Sequence, residues 1–378
     1  MPGPSFGLDT LPLVDHHCHS VVGRPLDRAA FEPFISEAGA PAPGMTNFDT
    51  PLGFAIRRWC APVLDLEPQA SPQDYLARRA DLGAEEVDRR FLRGTGIAAL
   101  LVDTGLRSDE LLPLSELGDR AGGVPTHEVV RLEAVAEEVA RRGVSAAGFA
   151  GAFADELARR ARRAIGLKTI VAYRFGLDFD PSPPSAAEVE AAAGEWLRGA
   201  ESSGRWRLEH PTILRHLLWT GAEHGLPIQF HIGYGDPDIR LHRCNPSLLH
   251  EFLLLLRSRQ VPVMLLHCYP YQREAAYLAA SFPDVYFDLG EAIHYVGRSG
   301  PVIMAEALEL APFHKMVFST DAFGVSELYY LGAFLFRRAL GTVLGEAVSD
   351  GDWSEPDARR VALLIGAETA RRVYRLPG

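Results

Sequence analysis

Cysteine is scarce in this chain of 378 residues: four are present and none forms a Cys-x-x-Cys pair. Neither a disulfide framework nor a zinc ribbon is expected, and a reducing compartment fits. No stretch stays apolar and uncharged for long enough to span a bilayer. The opening Met1-Pro2-Gly3-Pro4-Ser5 has no basic residue and leads into no long apolar core, unlike a secretory signal. Positive charge is in deficit, 38 Lys and Arg against 49 Asp and Glu, and the net charge of −11 is spread along the chain. Nucleic acid and anionic membranes are therefore not the expected partners. Internal repeats and low-complexity tracts are also missing. The expectation is a cytoplasmic protein that handles a small molecule.

What is present is ample core material, with 47% of residues hydrophobic. Short apolar runs alternate with longer amphipathic ones, the pattern of strands separated by helices in a parallel sheet. Eight runs read as strands: 11–17, 97–102, 128–132, 167–174, 227–231, 261–267, 285–288 and 316–321. Helices are expected over 135–163 with a break near Gly143, after a Ser185 N-cap, over 212–224 up to Gly225, and over 327–340 and 356–373. The count predicts a single α/β domain over 1–378, a (β/α)8 TIM barrel with its active site at the C-terminal strand ends. Residues 24–93, rich in Pro, Gly and Ala with helix-like pieces at 54–59 and 75–79, read as a helical insertion after the first strand.

Histidine or aspartate ends four of these strands: His17 and His19 on the first, His231 on the fifth, His267 on the sixth and Asp321 on the eighth. Side chains at i and i+2 of a strand share a face, so His17 and His19 can aim two imidazoles at one point. A barrel brings all these ends to one funnel, and imidazoles with a carboxylate suit a divalent metal, zinc before manganese or iron. Each residue has a plainer use as well: His267 as a buried core histidine, Asp321 as a helix cap. Other polar residues near strand ends are substrate-side candidates, namely Asp103, Arg131, Tyr173, Arg174, Tyr234, Tyr269, Glu291 and His294. Arg174 stands out because a guanidinium can grip a carboxylate through two parallel hydrogen bonds. A salt bridge to Asp178 or Asp180 is its structural alternative.

His17-x-His19, His231 in Phe-His-Ile-Gly, His267 in Leu-Leu-His-Cys and Asp321 in Phe-Ser-Thr-Asp-Ala resemble the amidohydrolase superfamily, in particular its amidohydrolase-2 type. Gly166 to Arg174 and Asp288-Leu-Gly-Glu291 resemble the amidohydrolase half of the nodulin/FluG proteins, which are fused to a glutamine-synthetase-like domain absent from this chain. The resemblance implies that His17, His19, His231 and Asp321 hold a metal. His267 would ligate a second ion or move protons, and Asp321 would take the proton of an activated water. It also implies one or two ions, with Lys168 carbamylated and bridging in the two-metal case. Against that stands the length of strand expected after Lys168, since a ligand belongs at a strand's C-terminal end. The implied reaction is hydrolysis of an amide C–N bond in a small substrate, carboxylate-bearing or γ-glutamyl in type. Non-oxidative decarboxylation on the same barrel is the first alternative, and an inactive ligand-binding barrel the second. A homodimer is the family-level expectation.

Overall fold

The computed structural model describes residues 6–107 and 109–377; the N-terminal residues 1–5, considered above for a targeting signal, lie outside the described residues. Seven parallel strands follow one another in chain order: β1 (Leu13–Cys18), β2 (Ile97–Asp103), β3 (Thr126–Arg131), β4 (Gly166–Thr169), β5 (Ile228–Ile232), β6 (Val263–His267) and β7 (Val285–Phe287). The eighth predicted strand does not form a regular ladder. Residues 316–322 nevertheless run between β7 and β1: Val317 N donates to Phe287 O, His16 N to Phe318 O, and Asp321 N to His17 O. The eighth position is thus filled by an extended segment with a single bridge, Phe287 to Met316, and the sheet curls into the expected barrel.

Two apolar layers hold the barrel. Val14, Leu101, Val129, Met264, Leu266 and Val317 form an inner cluster with Ala367, Ala370 and Tyr374 of the C-terminal helical run. A larger outer layer packs the other strand faces against the helices, with Leu13, Cys18, Leu100 and Leu265 among its members. This in-and-out alternation is what a parallel strand buried on both faces requires. All four cysteines are buried and unpaired.

The helices largely follow their signals. Helix Ala186–Ser203 starts at Ser185 in a capping box with Glu188. The predicted break near Gly143 separates Leu132–Arg141 from Ala146–Ala161. Between β1 and β2 lie several helical pieces, including Pro51–Ala55, Pro72–Leu82 and Ala84–Arg93. No helix among the described residues is long and apolar enough to cross a membrane.

One correction bears on function. The apolar run predicts a fourth strand reaching Arg174, but β4 stops at Thr169 and residues Val171–Arg174 form a short helix. Buried Glu133 accepts from Thr169 Oγ1 at 2.6 Å and from Ile170 N at 3.0 Å, turning the chain away from the ladder. Lys168 therefore sits one residue from the strand's C-terminal end, where a ligand belongs.

Candidate metal centre

The first two histidines are aimed by an irregularity in β1. Asp15 pairs with Leu100 and Cys18 with Val102, so three steps on β1 oppose two on β2. The extra residue is a bulge, which re-aims side chains locally. His16 and His17 consequently both reach groups within the barrel: His16 touches Asp288 and Tyr374, while His17 touches Gln229 and Asp321.

Each of the first two candidate ligands has its far side held. His17 Nδ1 lies 2.8 Å from Gln229 Oε1, and His19 Nδ1 lies 3.1 Å from the carbonyl oxygen of Asp103. These acceptors place the proton on Nδ1 of both rings and leave both Nε2 lone pairs facing Asp321. His17 Nε2 is 2.9 Å from Asp321 Oδ1, His19 Nε2 3.4 Å from the same oxygen, and His267 Nε2 3.5 Å from Oδ2. His267 and Asp321 both have positive φ, 68° and 52°, a conformation uncommon for non-glycine residues.

Burial keeps the imidazoles of His17, His231 and His267 neutral and therefore able to ligate. It pushes His17 down to about 3 and His267 down to about 4, and carries His231 well below its ordinary value. Burial also brings Lys168 down to about 8, so its amine is far more often neutral than that of a surface lysine.

These residues fit a divalent cation. His17, His19 and Asp321 present ligand atoms within 4.8 Å of one another, and His231, His267 and Glu291 form a second such group. His17 Nε2, His231 Nε2, His267 Nε2 and Asp321 Oδ1 are buried and lack any hydrogen-bond partner among the described residues. So many orphaned acceptors in one place is a cost that coordination would remove. Glycine keeps the space clear: a Cβ on Gly235 would fall 2.2 Å from Tyr173 Oη and 3.1 Å from His231 Nε2.

The cluster lies at the floor of a cavity of about 430 Å³. Lys168, Tyr173, Arg174 and Glu291 reach its walls, as do Arg131 and His294. Arg174 pairs with Glu137 at 3.2 Å, while Asp178 and Asp180 are taken by Arg243 and Arg215, and its Nε is buried without a partner. Three expected members, Asp103, Tyr234 and Tyr269, lie elsewhere. Asp103 is absent from the cavity wall because its carboxylate accepts from Arg131 Nη2 at 2.6 Å and from Gly105 N at 2.8 Å. Burial would raise that carboxyl, but Arg131 holds it far below the usual range. Tyr234 lines a neighbouring cavity together with Tyr269, on the far side of Tyr295.

Two residues of the site, Gln229 and Glu37, are not among those the sequence singles out. Gln229 is a polar residue in the middle of an otherwise apolar strand two positions before His231, which is a usable signal. Glu37 comes from the segment between β1 and β2 and carries none. Its carboxylate accepts from Tyr295 Oη at 3.1 Å and lines the cavity. Burial and the nearby Asp321 push Glu37 up to about 7, and burial and Glu37 itself push Glu291 well above the usual range.

A family model described as amidohydrolase matches residues 14–376. The chain belongs to the amidohydrolase family. A curated relative, Protein fluG of Emericella nidulans, is 29% identical over 98% of this chain. The chain spans 46% of that relative's length. A solved structure from Lactobacillus casei ATCC 334, whose assignment as a metal-dependent hydrolase is itself provisional, superposes with a TM-score of 0.87 at 28% identity, covering 99% of this chain and 98% of that one. The uronate isomerase of Thermotoga maritima matches at TM-score 0.62 and 14% identity over 96% of this chain and 94% of its own, a likeness of fold alone. The amidohydrolase barrel, a metal-dependent hydrolase fold, is thus the setting for the cluster.

Proposed function

We propose that this amidohydrolase hydrolyses an amide C–N bond in a small, carboxylate-bearing substrate. The observation that carries the reading is the set of buried, unpartnered imidazole nitrogens converging on Asp321. His17, His19 and Asp321 would hold one divalent ion, zinc for preference; His231 and His267 would serve a second, with Lys168, once carbamylated by carbon dioxide, as a further ligand. Such an ion supplies Lewis acidity and acidifies water at neutral pH.

The chain's own residues do the rest. Asp321, the carboxylate nearest three imidazoles, accepts the proton of the attacking water and passes it to the departing amine. In a site with one ion His267, whose ring nitrogens have no hydrogen-bond partner among the described residues, would instead hydrogen-bond the reacting carbonyl or relay that proton. Arg174, on the cavity wall with an unpartnered Nε, grips the substrate carboxylate. A fixed carboxylate places the scissile bond over the floor and turns attack into a near-intramolecular event.

The test is a panel of N-acyl amino acids and ω-carboxy amides offered to the metal-loaded protein, with released amine and released carbon dioxide both measured. Amine release that disappears on chelation and returns with zinc is the expected outcome. Carbon dioxide without amine would replace hydrolysis by decarboxylation.

A further inference from the structure

The cavity has two chemically different walls. In a ring of eight positions the third faces the seventh and the fourth faces the eighth, and the strand order here is sequential. Arg131 closes β3 and Arg174 follows β4. Their carboxylate partners, Asp103 and Glu137, are not among the cavity-lining residues, so the guanidiniums face the cavity while their counter-charges lie behind them. Opposite, after β7, come Glu291 and Tyr295, and Tyr295 holds Glu37 against the same wall.

That second wall is acidic and unsatisfied. Glu291 is only 3% exposed, and neither of its carboxylate oxygens has a hydrogen-bond partner among the described residues. Among the described residues no lysine or arginine comes within ion-pair distance of buried Glu291 or half-buried Glu37, although the protein pairs most of its remaining buried carboxylates. Buried carboxylates without a cation are costly to maintain, and a ligand that brings one offsets the cost.

We propose that the cavity takes a bipolar substrate, its carboxylate end set against Arg131 and Arg174 and a protonated amine set against Glu37 and Glu291. This deepens the functional reading above and rests on it for the identity of the active site. Glu37 is the specificity-determining residue of the arrangement, because it stands outside both groups of candidate metal ligands while Glu291 belongs to one of them. The segment between β1 and β2 thereby acquires a role: it delivers the residue that recognises the amine.

The test is calorimetric and needs no turnover. ω-Amino carboxylates of four to eight carbons, with the matching n-alkanoates and n-alkylamines, are titrated into the metal-loaded full chain. At least one amino carboxylate binds about tenfold tighter than both of its monopolar analogues. Glu37→Gln reduces that ligand to the affinity of the alkanoate and leaves alkanoate binding and metal content unchanged, whereas Glu37→Asp, which keeps the charge, retains the preference. Arg174→Gln reduces it to the affinity of the alkylamine. Equal binding of all three probe types, or no binding of any at about 10 mM, overturns the proposal. So does a Glu37→Gln protein that loses metal or weakens the alkanoate equally, since the carboxylate would then serve the metal or the fold. An amide panel without turnover would remove the proposed reaction while the preference for bipolar ligands still stood.

Discussion

His16 and His17 are adjacent on one strand and equally buried, yet their surroundings are opposites. Both nitrogens of His16 are engaged, Nε2 with Asp288 Oδ2 at 2.7 Å and Nδ1 with Tyr374 Oη at 3.0 Å. Asp288 is satisfied too: Oδ1 accepts from the backbone N–H groups of His267 and Gly290. Burial would raise its carboxyl, but the hydrogen bond from His16 holds it down to about 2. His17 by contrast has one nitrogen held by Gln229 and the other left bare toward Asp321. A buried polar group with all its partners rigidifies the fold, whereas one kept short of a partner is available for chemistry. The two networks share Gln229, whose Nε2 donates to the His16 carbonyl and to Tyr374 Oη while its Oε1 accepts from His17. The lower network is the base on which the upper one is aimed.

Removing the bare side of this pair should have the largest effect. Asp321→Ala is expected to lower turnover by about 10³-fold or more and to strip metal from the protein, read by steady-state kinetics and elemental analysis. Activity close to wild type would mean that His17 and Asp321 are as structural as their neighbours. Next comes Lys168→Ala, expected to take metal content from near two ions per chain to one or none. An unchanged count would leave Lys168 a charge-balancing residue and the site mononuclear.

His16→Ala probes the satisfied side and should act on stability instead. Leaving the Asp288 carboxylate buried without its partner costs roughly 3 kcal/mol in denaturant unfolding, while metal bound per folded chain holds. Gln229→Leu lies between the two behaviours. His17 loses the acceptor that fixes its tautomer, so metal affinity should fall about 10-fold to 100-fold in competition with a chromophoric chelator.

The last effect is one of pH. Burial raises the Asp15 carboxyl to about 8, although Thr320 donates to it through both N and Oγ1. A carboxyl raised on folding contributes stability that is fully present below its unfolded value near 4 and is lost as pH climbs through 8. The melting temperature of the wild type should therefore fall relative to Asp15→Asn between pH 4 and pH 8 and run parallel above. Parallel curves throughout would show that Asp15 is ionised in the folded protein.

Much of this is legible in the sequence, for reasons that can be named. Strand and helix alternation is written in apolar periodicity, and polar residues at the ends of apolar runs stand out, which is why His17, His19, His231, His267 and Asp321 can be picked from the sequence alone. The family follows from those same residues. What cannot be read is whatever depends on which groups meet. The end of β4 at Thr169 is set by Glu133, a residue 36 positions earlier in the chain, whereas local propensity favours continuing the strand. Asp103 has the place and chemistry of a substrate-reading residue, but Arg131 occupies its carboxylate.

The sequence by itself determined the alternating elements, the ligand types and their places at strand ends, because periodicity and side-chain chemistry are local properties. Tertiary structure alone decided which nitrogen of each imidazole is held and which is bare, and that the segment after β1 carries Glu37 to the wall formed after β7. Satisfaction of a buried polar group is a matter of distance and direction between residues hundreds of positions apart, and only the closed barrel supplies either.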